Sequence, residues 1–230
     1  MTPIYRGNGT LLTALLFVIL ATLSCSKGYN KHADEYYAQG TIFYENMDYD
    51  RSIDSFSKVL ELAPAGEENN RVYYMRGLSY LKNRQYDQAI YDFTRALELT
   101  GEGDKSLRFL IREMRGDAYF GKNDWTSAIQ DYWKALAEDV DNKNAKYVYL
   151  SRGWAYLNNN EPEPAIKDFD RAISIDPKLA EAYFGRGNAW LKKADPQRAL
   201  ADAKEALKLR PDEKNYDDLV YEITSGAKRK

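Results

Sequence analysis

Four arginines, Arg76, Arg115, Arg152 and Arg186, each stand directly before a glycine, and each is followed sixteen residues later by an aspartate: Asp92, Asp131, Asp168 and Asp202. A guanidinium grips a carboxylate or a phosphate through parallel N–H donors. A carboxylate supplied at one fixed offset by the same chain points to an internal ion pair rather than to a phosphate site. Upstream, Gly40 follows Gln39, and the residue sixteen beyond Gln39 is Ser55, so charge occurs at both places or at neither. The bland alternative gives each aspartate only a helix-surface partner three residues on, such as Arg95 for Asp92 or Arg171 for Asp168, with ~0.2–0.5 kcal/mol at stake. The expected role of the arginines is architectural.

Other chemistry is scarce. His32 is the only histidine and Cys25 the only cysteine, so no histidine-rich metal site can be assembled within one chain, and no Cys/His nucleophile pair remains if Cys25 is acylated. The segment Asp139 to Asn144 has the acidic start of a calcium loop, but Lys143 and Asn144 stand where a ligand and a glycine are needed and Leu150 replaces the closing glutamate. Gly101 to Asp104 lacks the lysine of a phosphate loop. No catalytic residue, metal or cofactor is expected. The net charge of −2 gives no electrostatic case for nucleic acid, and Lys228, Arg229 and Lys230 form a short solvated tail.

The arginines belong to a repeat. Gly40, Gly77, Gly116, Gly153 and Gly187 are spaced by 37, 39, 37 and 34 residues, a period that marks stacked helical units. Aromatics lie four before and three after these glycines: Tyr36 and Phe43, Tyr73 and Tyr80, Tyr149 and Tyr156, Tyr183 and Trp190, with Arg112 and Tyr119 in the third unit. These offsets fall on one helical face. Twelve residues after each glycine a second face begins, as in Ala89, Phe93 and Ala96 or Ala165, Phe169 and Ala172. Glycine on one helix and alanine on the next let the two approach closely, with an aromatic ring filling the space between small neighbours. Pro162 and Pro196 sit where a second helix starts.

This pattern resembles the tetratricopeptide repeat. The resemblance implies an all-α fold, a right-handed α-α superhelix of five helix-turn-helix repeats, at 33–66, 70–103, 109–142, 146–179 and 180–213, closed by a capping helix and basic tail at 214–230. In the cap, Tyr216, Leu219, Val220 and Ile223 share the side expected to cover the last repeat.

In such proteins the first helix of each repeat lines a concave groove that holds a peptide or a partner protein. Carried onto this chain, the groove residues of the first two repeats are Tyr37, Tyr44, Arg71, Tyr74 and Leu78. Those of the later repeats are Glu113, Phe120, Tyr147, Leu150, Trp154, Phe184 and Asn188. No repeat has the lysine and asparagine that a carboxylate clamp for chaperone tails requires at the second and third groove places.

At the N-terminus, thirteen uncharged residues, Leu11 to Leu23, follow Arg6. Spanning a bilayer takes ~20 apolar residues, so the run reads as the core of an export signal. The adjoining Cys25 is either a chance free thiol or an acylation site. Its setting, ATLSCS, resembles the lipobox of bacterial lipoproteins, which implies a signal peptide at 1–24, lipid on Cys25 and a tether at 25–32. Together the resemblances imply a non-catalytic adaptor of the bacterial cell envelope, membrane-anchored through Cys25 and facing the periplasm from the outer membrane, with other envelope proteins as partners. The alternative they leave open is a module holding a small hydrophobic ligand for a transport system.

Overall fold

The computed structural model describes residues 31–63, 66, 69–139, 142 and 144–227. The signal segment, Cys25, most of the tether and the basic tail lie outside the described residues. Among the described residues every regular element is a helix. The chain divides into two units, 1–101 and 102–230.

The first unit holds α1 (Lys31–Glu45), α2 (Tyr49–Leu62), α3 (Asn70–Lys82) and α4 (Tyr86–Leu99). α1 packs on α2, α3 on α4, and α2 on α3, so two hairpins lie side by side. Ala33, Phe56, Val59 and Val72 form its buried cluster. The second unit holds α5 (Lys105–Gly121), α6 (Trp125–Glu138), α7 (Ala145–Asn158), α8 (Pro162–Ile175), α9 (Ala180–Lys192), α10 (Pro196–Leu209) and α11 (Lys214–Ala227). Its three hairpins pair α5 with α6, α7 with α8 and α9 with α10, each hairpin packs on the next, and α11 covers α10.

Each tight turn inside a hairpin is built alike. One residue in each, Met47, Arg84, Asn123, Asn160 or Ala194, adopts φ between 57° and 63°. The following N–H then reaches back five residues to an aromatic's carbonyl, as from Asp48 to Phe43 at 2.9 Å and from Asp195 to Trp190 at 3.0 Å. This left-handed closure satisfies the carbonyls that a helix end leaves bare. The donor residue also serves as the next helix's N-cap: Asp48, Asp124 and Asp195 accept from the backbone N–H three residues on. Three residues thus end one helix and start its neighbour.

The glycines admit the rings predicted for them. A Cβ on Gly77 would lie 2.8 Å from the ring of Phe93, and one on Gly153 2.7 Å from that of Phe169. Where Ala203 replaces the ring in the last hairpin, two neighbours fill in. Gly185 meets Phe169 of the preceding hairpin, and Leu219 of α11 comes into van der Waals reach of Gly187 and clusters with Ala203. In α11, Tyr216, Leu219 and Ile223 are buried while Asp217, Asp218, Tyr221 and Glu222 face outward, so the helix turns a polar side to water at that end of the second unit.

Candidate functional site

Helix packing brings each Arg–Asp couple together across its hairpin. Arg76 Nε donates to Asp92 Oδ2 at 2.8 Å and Nη2 to Oδ1 at 2.9 Å. The same bidentate geometry recurs for Arg115 and Asp131 (2.6 and 2.8 Å), Arg152 and Asp168 (2.7 and 2.8 Å), and Arg186 and Asp202 (2.8 and 2.6 Å). The aspartate side chains retain between 1% and 9% of their exposure. Burial pushes the Asp92 and Asp168 carboxyls up, and the facing guanidinium draws them back. Arg186, hydrogen-bonded to two carboxylates, is raised above the usual guanidinium range. Both oxygens of each aspartate are engaged, which leaves these groups to hold helices rather than to bind an external anion.

Two further contacts of the guanidinium have no counterpart in the sequence reading. The first is aromatic: Arg76 lies 5.7 and 5.8 Å from the ring centroids of Tyr73 and Tyr80, Arg152 5.5 Å from Tyr149, and Arg186 5.5 Å from Tyr183. The recurring spacing of aromatics around Gly77, Gly153 and Gly187 thus packs a cation as well as an apolar seam. The second reaches the preceding hairpin: Arg76 Nη1 donates to Ser57 Oγ at 3.0 Å, and Arg186 Nη1 to Asp170 Oδ1 at 2.5 Å.

The residues expected to line the groove divide by burial. Tyr37, Tyr74, Leu78, Phe120, Tyr147, Trp154, Phe184, Arg71 and Asn188 are half-buried. Their rings rest edge-on or tilted against rings beneath: Tyr37 on Phe56, Tyr74 on Phe93, and Trp154 between Phe169 and Phe184 at 5.6 and 5.9 Å. Phe120 meets Trp125, and Phe184 meets Tyr216. Such rings are held at fixed angles while part of each stays accessible. Tyr44 packs on Tyr49, and burial, with the Tyr49 phenol second, pushes its hydroxyl well up. Asn188 Nδ2 donates to the Phe184 carbonyl one turn back at 2.8 Å. Glu113 and Leu150 depart from the expectation: they are 2% and 4% exposed, so they face the interior and offer no surface to a partner. Both lie three residues before their marker glycine, where Tyr37, Tyr74 and Phe184 are large enough to emerge from the seam and these two are not.

One polar pair in the second unit passed unnoticed in the sequence. Tyr132 occupies the ring position held by Phe56, Phe93 and Phe169, and its hydroxyl donates to Asp117 Oδ1 at 2.7 Å. The signal was a double departure: tyrosine for phenylalanine in one helix, and an acid just after the glycine in its partner. Among the described residues no group of three or more His, Cys, Asp or Glu side chains could hold a metal ion.

The models of the tetratricopeptide repeat match residues 71–99, 147–179 and 180–213. Protein unc-45 homolog B of Xenopus laevis is 29% identical over 115 residues, half of this chain, and the match spans 12% of that protein's length. Among solved structures, MamA superposes with a TM-score of 0.67 at 23% identity, over 81% of this chain and 96% of MamA. YrrB, a tetratricopeptide protein with an unusual peptide-binding site, superposes with a TM-score of 0.63 at 20% identity, over 88% of this chain and 96% of its own. At such identities the likeness speaks for the fold. Three of the hairpins are therefore matched by sequence to the tetratricopeptide repeat, and all five are built on the same glycine-marked plan.

Proposed function

We propose that this chain is a non-catalytic scaffold of the bacterial cell envelope that holds a peptide or partner protein against the first helices of its hairpins. The observation that carries the reading is the row of half-buried rings in each unit, Tyr37 and Tyr74 in the first and Phe120, Tyr147, Trp154 and Phe184 in the second. Aromatic side chains fixed by rings below lose little freedom when a partner covers them, and aromatic anchors dominate protein recognition. The peptide-binding site of YrrB, built on the same fold, agrees with this use. The uncharged run before Cys25 supports export, ATLSCS supports a lipid anchor on Cys25, and the non-acidic Ser26 and Lys27 give no reason for retention at the inner membrane, in keeping with an anchor in the outer membrane that faces the periplasm.

The test is affinity capture from detergent-solubilised envelopes with the full chain and with Leu78→Arg and Asn188→Arg, one substitution in each unit. Defined proteins recovered by the wild type and lost with either variant support the reading. A recovered set unchanged by both variants, or a small hydrophobic molecule retained in native mass spectrometry with no protein recovered, overturns it. Palmitate incorporation that disappears in Cys25→Ala supports the anchor, and incorporation that persists refutes it.

A further inference from the structure

Seventeen residues after Gly40 and Gly153 stand Ser57 and Asp170, and these accept from Nη1 of Arg76 and Arg186 in the hairpin that follows. The same place after Gly116 is held by Trp133. Arg152, on the α7 helix that packs against α6, binds Asp168 through Nε and Nη2 as the other arginines bind their aspartates, so its Nη1 points the same way. An indole carries a donor and no acceptor. Among the described residues Arg152 Nη1 makes no hydrogen bond. The nitrogen is not enclosed, and the side chain keeps 12% of its exposure. The fork of Nε and Nη2 is closed to an outside anion, whereas Nη1 lies outside that fork.

Trp133 is itself 60% exposed, and the helices that flank α7 surround it with charge of one sign. Lys134 on α6, and Lys167 and Arg171 on α8, are exposed and have no ion pair among the described residues. The carboxylates of the same helices are taken. Glu138 meets Arg108 and Arg112, Glu163 meets Lys193, and Asp170 meets Arg186, while Asp131 and Asp168 belong to the interhelical bridges. What this face lacks is an acid.

We propose that the Trp133 face of the second unit docks an acidic segment of a partner protein, with one carboxylate accepting from Arg152 Nη1 as Asp170 does from Arg186, and a neighbouring apolar side chain covering the indole. Lys134, Lys167 and Arg171 supply complementary charge around that contact, which favours encounter with an acidic partner and disfavours a basic one. Tryptophan and arginine are the side chains on which such contacts most often depend. None of the groove residues takes part, so this contact and the groove stand or fall separately.

The test titrates the full chain in detergent, labelled with fluorotryptophan and followed by fluorine NMR. The probes are an acetylated, amidated hexapeptide of alternating leucine and glutamate and its counterpart with glutamine for glutamate. Trp133→Phe assigns the resonance. The expected result is a saturable shift of Trp133 with the glutamate peptide and binding about tenfold weaker with the glutamine peptide, since the charge-assisted bond and the surrounding cations both need the carboxylate. Two variants are read by calorimetry. Trp133→Asp supplies the missing acceptor from within the chain and should abolish binding of the glutamate peptide. Arg152→Met combined with Asp168→Ala removes the Nη1 donor with no change in net charge and strands neither partner; with its fold checked by circular dichroism, it should bind the glutamate peptide about tenfold more weakly. Equal affinity for the two peptides, no shift at Trp133, or binding that survives Trp133→Asp overturns the proposal. A folded double variant that binds the glutamate peptide as tightly as the wild type refutes the Arg152 contact. A Trp133 shift produced by phosphatidylglycerol vesicles and not by the peptide assigns the face to a membrane surface, and shifts that grow with protein concentration alone assign it to a second copy of this chain; either result refutes the proposal.

Discussion

Replacing Arg152 by Met keeps the aliphatic stem and removes the charge. Asp168 then keeps a carboxylate with 7% of its side chain exposed and loses both of the donors at 2.7 and 2.8 Å. Stranding a buried charge in this way costs ~3–5 kcal/mol, and the lost stack on Tyr149, 5.5 Å away, adds ~0.5–1 kcal/mol. Asp168→Ala strands Arg152 in turn. The double variant strands neither, so it should lose less than either single variant, with a coupling energy at least as large as one single variant's loss. All four tryptophans, Trp125, Trp133, Trp154 and Trp190, lie in the second unit with the pair. Their emission during urea unfolding therefore reports the right half of the molecule. With a slope of ~2 kcal/mol per molar urea, each single variant should lower the midpoint by ~1.5–3 M. Lys208→Ala, which removes an exposed pair with Glu205, should leave it in place. Additive losses in the double variant, or a single-variant loss no larger than that of Lys208→Ala, would refute a buried bridge.

The Tyr132 pair gives a second test: Tyr132→Phe should cost ~1.5–3 kcal/mol, since the hydroxyl donates to the Asp117 carboxylate, and Asp117→Asn, which keeps an acceptor oxygen, should cost less in the same melts. Gly153→Ala drives a methyl to 2.7 Å from the Phe169 ring and should destabilise by ~1–3 kcal/mol, whereas Gly103→Ala, with nothing within 4 Å, should not shift the urea midpoint. Ala194 holds φ at 57° in an exposed turn. Ala194→Gly should therefore raise stability by ~0.5–1 kcal/mol despite the greater freedom glycine gives the unfolded chain, and a lower midpoint would count against strain at that position.

The hairpin plan was legible because its marks are local and recur. Gly77 with Phe93, and Gly153 with Phe169, are sixteen residues apart, and the same offset from the preceding residue places Arg76 opposite Asp92. The shared left-handed turn was half visible: Asn123 and Asn160 favour that conformation, but Met47, Arg84 and Ala194 do not and are forced into it by the helices on either side. The groove was harder to read. Offsets say which side of a helix a residue occupies, but size and neighbouring packing decide whether it emerges. Phe184 does and Leu150 does not, from the same place in their helices. Contacts between hairpins, such as Gly185 on the Phe169 ring and Arg186 on Asp170, carry no fixed motif and became visible only in space.

That Arg186 and Arg76 each grip a residue of the hairpin before their own limits how freely these modules can be exchanged. A hairpin transplanted from this protein brings a guanidinium whose outer nitrogen expects a hydroxyl or carboxylate from whatever precedes it, as Ser57 and Asp170 supply here. A host with an apolar side chain there inherits a desolvated donor at the graft. The cassette that moves without loss in these two cases begins within the preceding second helix, so its natural seam falls inside a helix rather than at the loop between repeats.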